Sequence, residues 1–144
     1  MRKAVLTILL SLMIGFASLA YANTRFAASA WQEACELSRY KCEGVAPPLV
    51  EYDETGLASG LLGYYLLGTR IVFISAGQEE QAEYAVMVHE MVHYLQYMTA
   101  TRVGGLILER CSMEREAFEI SDQVLKRLGL GEQARNGNLI DYGC

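Results

Sequence analysis

The only histidines in the 144-residue chain are His89 and His93, and the sequence between them reads His89-Glu90-Met91-Val92-His93. Residues four apart on an α-helix project from one face a turn apart, so both imidazoles can reach a single metal ion. Glu90 stands beside such a site, where a carboxylate can take a proton from a metal-bound water. Three protein ligands and one open position suit Zn²⁺, whose bound water then loses its proton near neutral pH. The bland alternative is two histidines that merely line a helix face. The glutamate in the second slot, inside a helical run, weighs against it.

With no third histidine, the third ligand has to be an acid, a cysteine or water, which excludes a three-histidine metzincin site. Downstream, Met113, Ala117, Ile120, Val124 and Leu128 are spaced for the core stripe of a helix, and Glu114 falls nearer its centre than Glu116. A carboxylate on a buried stripe needs a partner; a metal ion is one, and Arg110 or Arg115 is another. Glu116, Glu119 and Asp122 lie further round and read as solvent-facing.

The motif at His89 to His93, followed by Glu114-Arg115-Glu116-Ala117 with its small residue three positions after a glutamate, resembles the gluzincin, or thermolysin-like, zinc metalloproteases. The resemblance covers roughly residues 60 to 128 and implies a minimal single-domain form of that fold. It implies zinc held by His89, His93 and Glu114, with Glu90 as general base in the hydrolysis of a peptide or protein substrate. Two positions depart from the family pattern. Phe118 stands where many members carry an aspartate that orients a histidine, so another acceptor must hold His89 or His93. No histidine remains for the oxyanion, which leaves Tyr97, Tyr64, Tyr65 and Tyr142 as candidates. The substrate-binding edge strand of the family corresponds to Arg70 to Ser75, although the run Ile71-Val72-Phe73-Ile74 fits a fully paired interior strand equally well.

These residues need elements to place them, and the patterning supplies a short α+β order. Phe26 to Arg39 carries apolar residues on one helical face, and Gly44 with Pro47-Pro48 ends it. Leu49 to Tyr52 is a short strand signal. Leu61 to Leu66 and Arg70 to Ser75, joined through Gly68, predict a β-hairpin. Glu79 to Met98 has no Gly or Pro and is acidic at its start, which predicts a long helix bearing the motif. Thr99 to Leu108 reads as a loop, Ser112 as the cap of a second helix to Leu128 closed by Gly129 and Gly131, and Glu132 to Cys144 as coil. The expected fold is a small zincin-like α+β domain, a short sheet with its hairpin packed on the motif helix and a following glutamate-ligand helix.

Arg2 and Lys3, an apolar run from Ala4 to Ala20, and Ala20-Tyr21-Ala22 read as a signal peptide over residues 1–22, leaving a single domain over residues 23–144. The expected location is periplasmic or secreted, with no stable membrane insertion after cleavage. Four cysteines in an exported chain point to two disulfides, with Cys35 to Cys42 and Cys111 to Cys144 the favoured pairing. The net charge of -5, lowered by two more units when Arg2 and Lys3 leave, argues against nucleic acid as a partner. Two functions from different classes fit: an exported zinc metallopeptidase, or a zinc-bound, non-catalytic binding module on the same scaffold. A purely structural disulfide-stabilised domain is a third.

Overall fold

The computed structural model describes residues 26–54, 61–102 and 110–130. They form three helices and one three-stranded sheet: α1 (26–37), β1 (Leu49–Asp53), β2 (Gly63–Tyr65), β3 (Ile71–Ser75), α2 (Glu80–Arg102) and α3 (Arg110–Arg127). The expected α+β class, the hairpin and the motif helix are all present. The leader expected over residues 1–22 lies outside the described residues, as do Tyr142, Cys144 and the expected C-terminal coil. No helix among the described residues is long and apolar enough to cross a membrane.

The strand order is β1-β3-β2. β3 runs parallel to β1, from Leu49 opposite Ile71 to Asp53 opposite Ser75, and antiparallel to β2, with Gly63 opposite Ile74 and Tyr65 opposite Val72. The edge-strand expectation for Arg70 to Ser75 is therefore corrected. β3 is bonded on both sides, and its unbroken apolar run is the mark of an interior strand. β2 is the antiparallel edge among the described residues. Its link to β3 turns at Gly68, whose φ of 78° is the left-handed conformation that favours glycine.

Alternation along the strands assigns the two faces. Val72 and Ile74 of β3 and Tyr65 of β2 are buried beneath α2, while Tyr64 and Phe73 stack on the opposite face with ring centroids 4.8 Å apart. From Met87 to Gln96 nearly every residue of α2 is buried. A helix enclosed in this way shows no polar stripe, because α3 and α1 cover what the sheet does not. Trp31 of α1 meets Tyr94 with centroids 5.9 Å apart, and Phe26 meets Tyr84 edge to face at 5.0 Å.

Both strong helices differ from expectation at their ends. α2 continues through Arg102, four residues beyond Met98, so the loop expected from Thr99 is helical at its start; residues 103–109 lie outside the described residues. α3 begins at Arg110, which places Ser112 inside its first turn instead of at the cap. The C-terminal stop holds. Leu130 N–H donates to Leu125 O at 2.9 Å and Gly129 N–H to Lys126 O at 3.1 Å, with Gly129 at φ 82°, so the last carbonyls are satisfied by a Schellman closure. Of the expected core stripe, Ala117, Ile120 and Val124 are buried, whereas Leu128 is 39% exposed.

A disulfide joins Cys35 at the end of α1 to Cys42, as expected. It closes the bend that carries Arg39 and the buried Tyr40 toward α3. The second expected pairing, Cys111 with Cys144, involves a residue outside those described. Opening an eight-residue loop of this kind releases about 2 kcal/mol of denatured-state entropy. A Cys35→Ser, Cys42→Ser double variant is accordingly expected to unfold at a lower urea midpoint, with an m-value no smaller than that of the wild type, as measured by circular dichroism.

Candidate metal centre

Three side chains from two helices converge. His89 and His93 lie one turn apart on α2, and α3 crosses that face so that Glu114 reaches both. His93 Nε2 is 3.0 Å from His89 Nε2 and 3.2 Å from Glu114 Oε2, and His89 Nε2 is 3.5 Å from the same oxygen. All three residues are largely shielded from solvent, and their nearest donor atoms could hold one metal ion. The sequence-based choice of Glu114 over Glu116 as the carboxylate nearest the histidines agrees with this placement.

The charge state of the cluster follows from its crowding. Burial alone would raise the Glu114 carboxyl, but hydrogen bonds from His89 and His93 outweigh it and hold the group far below the usual carboxylate range. Burial pulls His93 down, yet its hydrogen bond to Glu114 and the charge of Glu90 keep it above the ordinary imidazole value. Two imidazole nitrogens and a carboxylate oxygen packed this closely need positive charge among them, as a proton or as a cation.

Glu90 is one position past His89, about 100° further round the helix, and turns toward the sheet. Only 7% of it is exposed. Burial pushes its carboxyl above the usual range, and the neighbouring His89 and His93 draw it partly back. The backbone N–H of Tyr65 on β2 faces this carboxylate and also draws its pKa down. That amide is free to do so because the ladder bonds Leu66 N to Ile71 O and Ser75 N to Leu62 O fix the parity of β2, turning the backbone groups of residues 63 and 65 away from β3.

Gly63 makes this approach possible. A Cβ there would stand 2.8 Å from Val86 Cγ1, 3.0 Å from Phe73 O and 3.1 Å from Glu90 Cγ. Gly63 was not legible as a site residue, since an isolated glycine at the start of a short strand carries no chemical signal.

Three further side chains surround the cluster: Phe118, Gln96 and Glu116. Phe118, in place of an orienting aspartate, packs its ring on His89 with centroids 4.5 Å apart. The acceptor demanded for a histidine is Gln96, whose Oε1 lies 2.8 Å from His93 Nδ1. The spacing His93-x-x-Gln96 puts the pair on one helical face, which is the signal that could have found it. Glu116, expected to face solvent, is corrected: it lies between the helices, accepting from Tyr40 Oη at 2.8 Å and Gln96 Nε2 at 3.1 Å, with Arg39 Nε at 3.2 Å. Tyr40 and Gln96 come from elements whose approach to α3 no periodicity encodes.

Of the four tyrosines proposed for an oxyanion, Tyr142 lies outside the described residues and the other three are placed elsewhere. Tyr65 donates to Thr69 O at 3.0 Å, Tyr64 is on the far face of the sheet, and the Tyr97 hydroxyl lies by Gly68 in the hairpin turn.

Gly63→Ala is expected to force β2 from α2 and to cost about 1–3 kcal/mol, read from denaturant unfolding. Val86→Ala on that background should recover part of the loss, because it removes the closest clash. Compared with protein-family models, curated proteins and solved structures, the chain finds no match.

Proposed function

We propose that the protein is an exported zinc metallopeptidase of the gluzincin type, a zincin-like domain hydrolysing a peptide or protein substrate. The observation that carries this reading is the donor triangle. Ligands about 2.0–2.1 Å from a tetrahedral zinc lie roughly 3.3 Å from one another, and the His89, His93 and Glu114 atoms are spaced at 3.0, 3.2 and 3.5 Å. Two imidazoles and one carboxylate leave a fourth position for water or substrate. Export is supported by the Cys35 to Cys42 disulfide, which persists in oxidising compartments, and by the leader-like pattern of residues 1–22.

A bound zinc ion supplies a Lewis acid that makes water nucleophilic near neutral pH. His89, His93 and Glu114 fix where that acid sits. Glu90 accepts the proton of the attacking water and passes it to the leaving amine. Its position suits the task, since it stands one residue from His89 and is shielded from bulk water. The Tyr65 amide of β2 faces Glu90 from the sheet side.

One observation favours the second reading, a zinc-bound binding module without efficient catalysis. The hydroxyls of Tyr40, Tyr52, Tyr65, Tyr84 and Tyr94 are committed to Glu116, Glu83, Thr69 O, Glu33 and Ala46 O, so none of these five is aimed at the cluster to stabilise an oxyanion.

Metal analysis and a casein or peptide-library digest separate the readings. The expected result is one zinc per chain, lost in His89→Ala and in Glu114→Ala, with peptide cleavage by the zinc form. Glu90→Gln should keep its zinc and lose about 10²- to 10⁴-fold in turnover. Zinc retention with no cleavage by the wild-type protein selects the binding module, and absence of zinc uptake discards both.

A further inference from the structure

Gln96 is a fully buried amide on α2, and both its oxygen and its nitrogen have partners. Its Oε1 faces His93 Nδ1 at 2.8 Å. Its Nε2 donates to Met113 O at 3.0 Å and to Glu116 Oε2 at 3.1 Å. Two acceptors on one side leave only one sensible orientation of the amide. Were it flipped, Oε1 would confront a carbonyl and a carboxylate, and the NH₂ group would point at the imidazole.

The orientation has a consequence for the ring. A carbonyl oxygen at Nδ1 requires a hydrogen on that nitrogen, and a neutral imidazole with its hydrogen on Nδ1 has its lone pair on Nε2. Nε2 is the atom of His93 that faces His89 and Glu114. Resting on the zinc reading above, we infer that Gln96 is a positioning residue that locks His93 in its metal-binding tautomer. Glu116, held by Tyr40 and Arg39, keeps Gln96 from flipping.

The use of an amide where metal sites commonly place a carboxylate follows from charge. Glu90 and Glu114 already balance a divalent cation, and a third carboxylate against His93 would leave buried negative charge uncompensated. Gln96 supplies the acceptor without the charge. The charge of Glu116 stays one residue further out, where Arg39 meets it at 3.2 Å. The chain of contacts runs from His93 through Gln96 and Glu116 to Tyr40, which sits in the bend closed by Cys35 and Cys42.

Zinc affinity is measured by chelator competition on the purified protein, alongside Gln96→Met, Glu116→Gln and Tyr40→Phe. Long-range ¹⁵N–¹H spectra of the imidazoles are recorded for each, since only two histidines contribute. Gln96→Met is expected to weaken zinc binding about 10- to 100-fold and, in the zinc-loaded protein, to remove the slowly exchanging Nδ1–H of His93 that marks the wild-type tautomer. Tyr40→Phe and Glu116→Gln should shift affinity in the same direction by about tenfold or less, and they decide the matter should Gln96→Met not fold. A lower melting temperature with unchanged zinc affinity and tautomer would make Gln96 a helix clamp only and overturn the inference while leaving the metal site intact. A wild-type protein that takes up no zinc would overturn the inference and the zinc reading together.

Discussion

Everything in the domain bends to one constraint: α2 carries two histidines, a glutamate and a glutamine through the middle of a hydrophobic core. Met87, Val88, Met91, Val92 and Leu95 pack around it, so His89, Glu90, His93 and Gln96 have little access to bulk water and need partners inside the protein. Each has one. Glu114 faces both imidazoles, Phe118 covers His89, the Tyr65 amide meets Glu90, and Met113 O with Glu116 meets Gln96. The partners come from β2 and α3, and behind them from the bend after α1.

The outer contacts brace this arrangement against sliding. Tyr84 Oη donates to Glu33 at 2.7 Å, and Glu33 also pairs with Arg127, so one carboxylate of α1 ties α2 to the end of α3. Tyr94 Oη donates to Ala46 O at 2.9 Å and Tyr52 Oη to Glu83 at 2.7 Å, fixing α2 against the segment before β1 and against β1 itself. Burial pushes the Tyr52 and Tyr84 phenols up, which keeps these two protonated donors. Each bond is modest by itself, about 1 kcal/mol. Their value lies in register, since a shift of one residue along α2 would swing the imidazoles about 100° away from Glu114.

How much of this could be read from the sequence depended on whether the signal was local. The spacing of His89 and His93, the position of Glu90, the hairpin around Gly68 and the Gly129 stop are all short-range patterns, and the structure contains each of them. Glu114 was legible because its place on an apolar stripe made an unpartnered carboxylate costly. Glu116 misled for the same reason in reverse: the stripe turned it outward, while the partners that bury it, Tyr40 and Gln96, are 76 and 20 residues away in the chain. The interior place of β3 turned on a parallel pairing with β1, which no hairpin rule predicts. Gly63 and Gln96 carry no chemistry of their own, so their roles emerge only when β2 and α3 close on the motif helix.

The central claim is that two imidazoles and one carboxylate, and no sulfur, bind a single zinc ion. X-ray absorption at the zinc edge, on protein loaded with one equivalent, tests it most directly. The expected spectrum has only nitrogen and oxygen neighbours near 2.0–2.1 Å, with the outer-shell scattering of two imidazole rings and a four-coordinate edge. A sulfur shell near 2.3 Å, or scattering from fewer than two imidazoles, would contradict the account by moving the metal to the cysteines or to the surface.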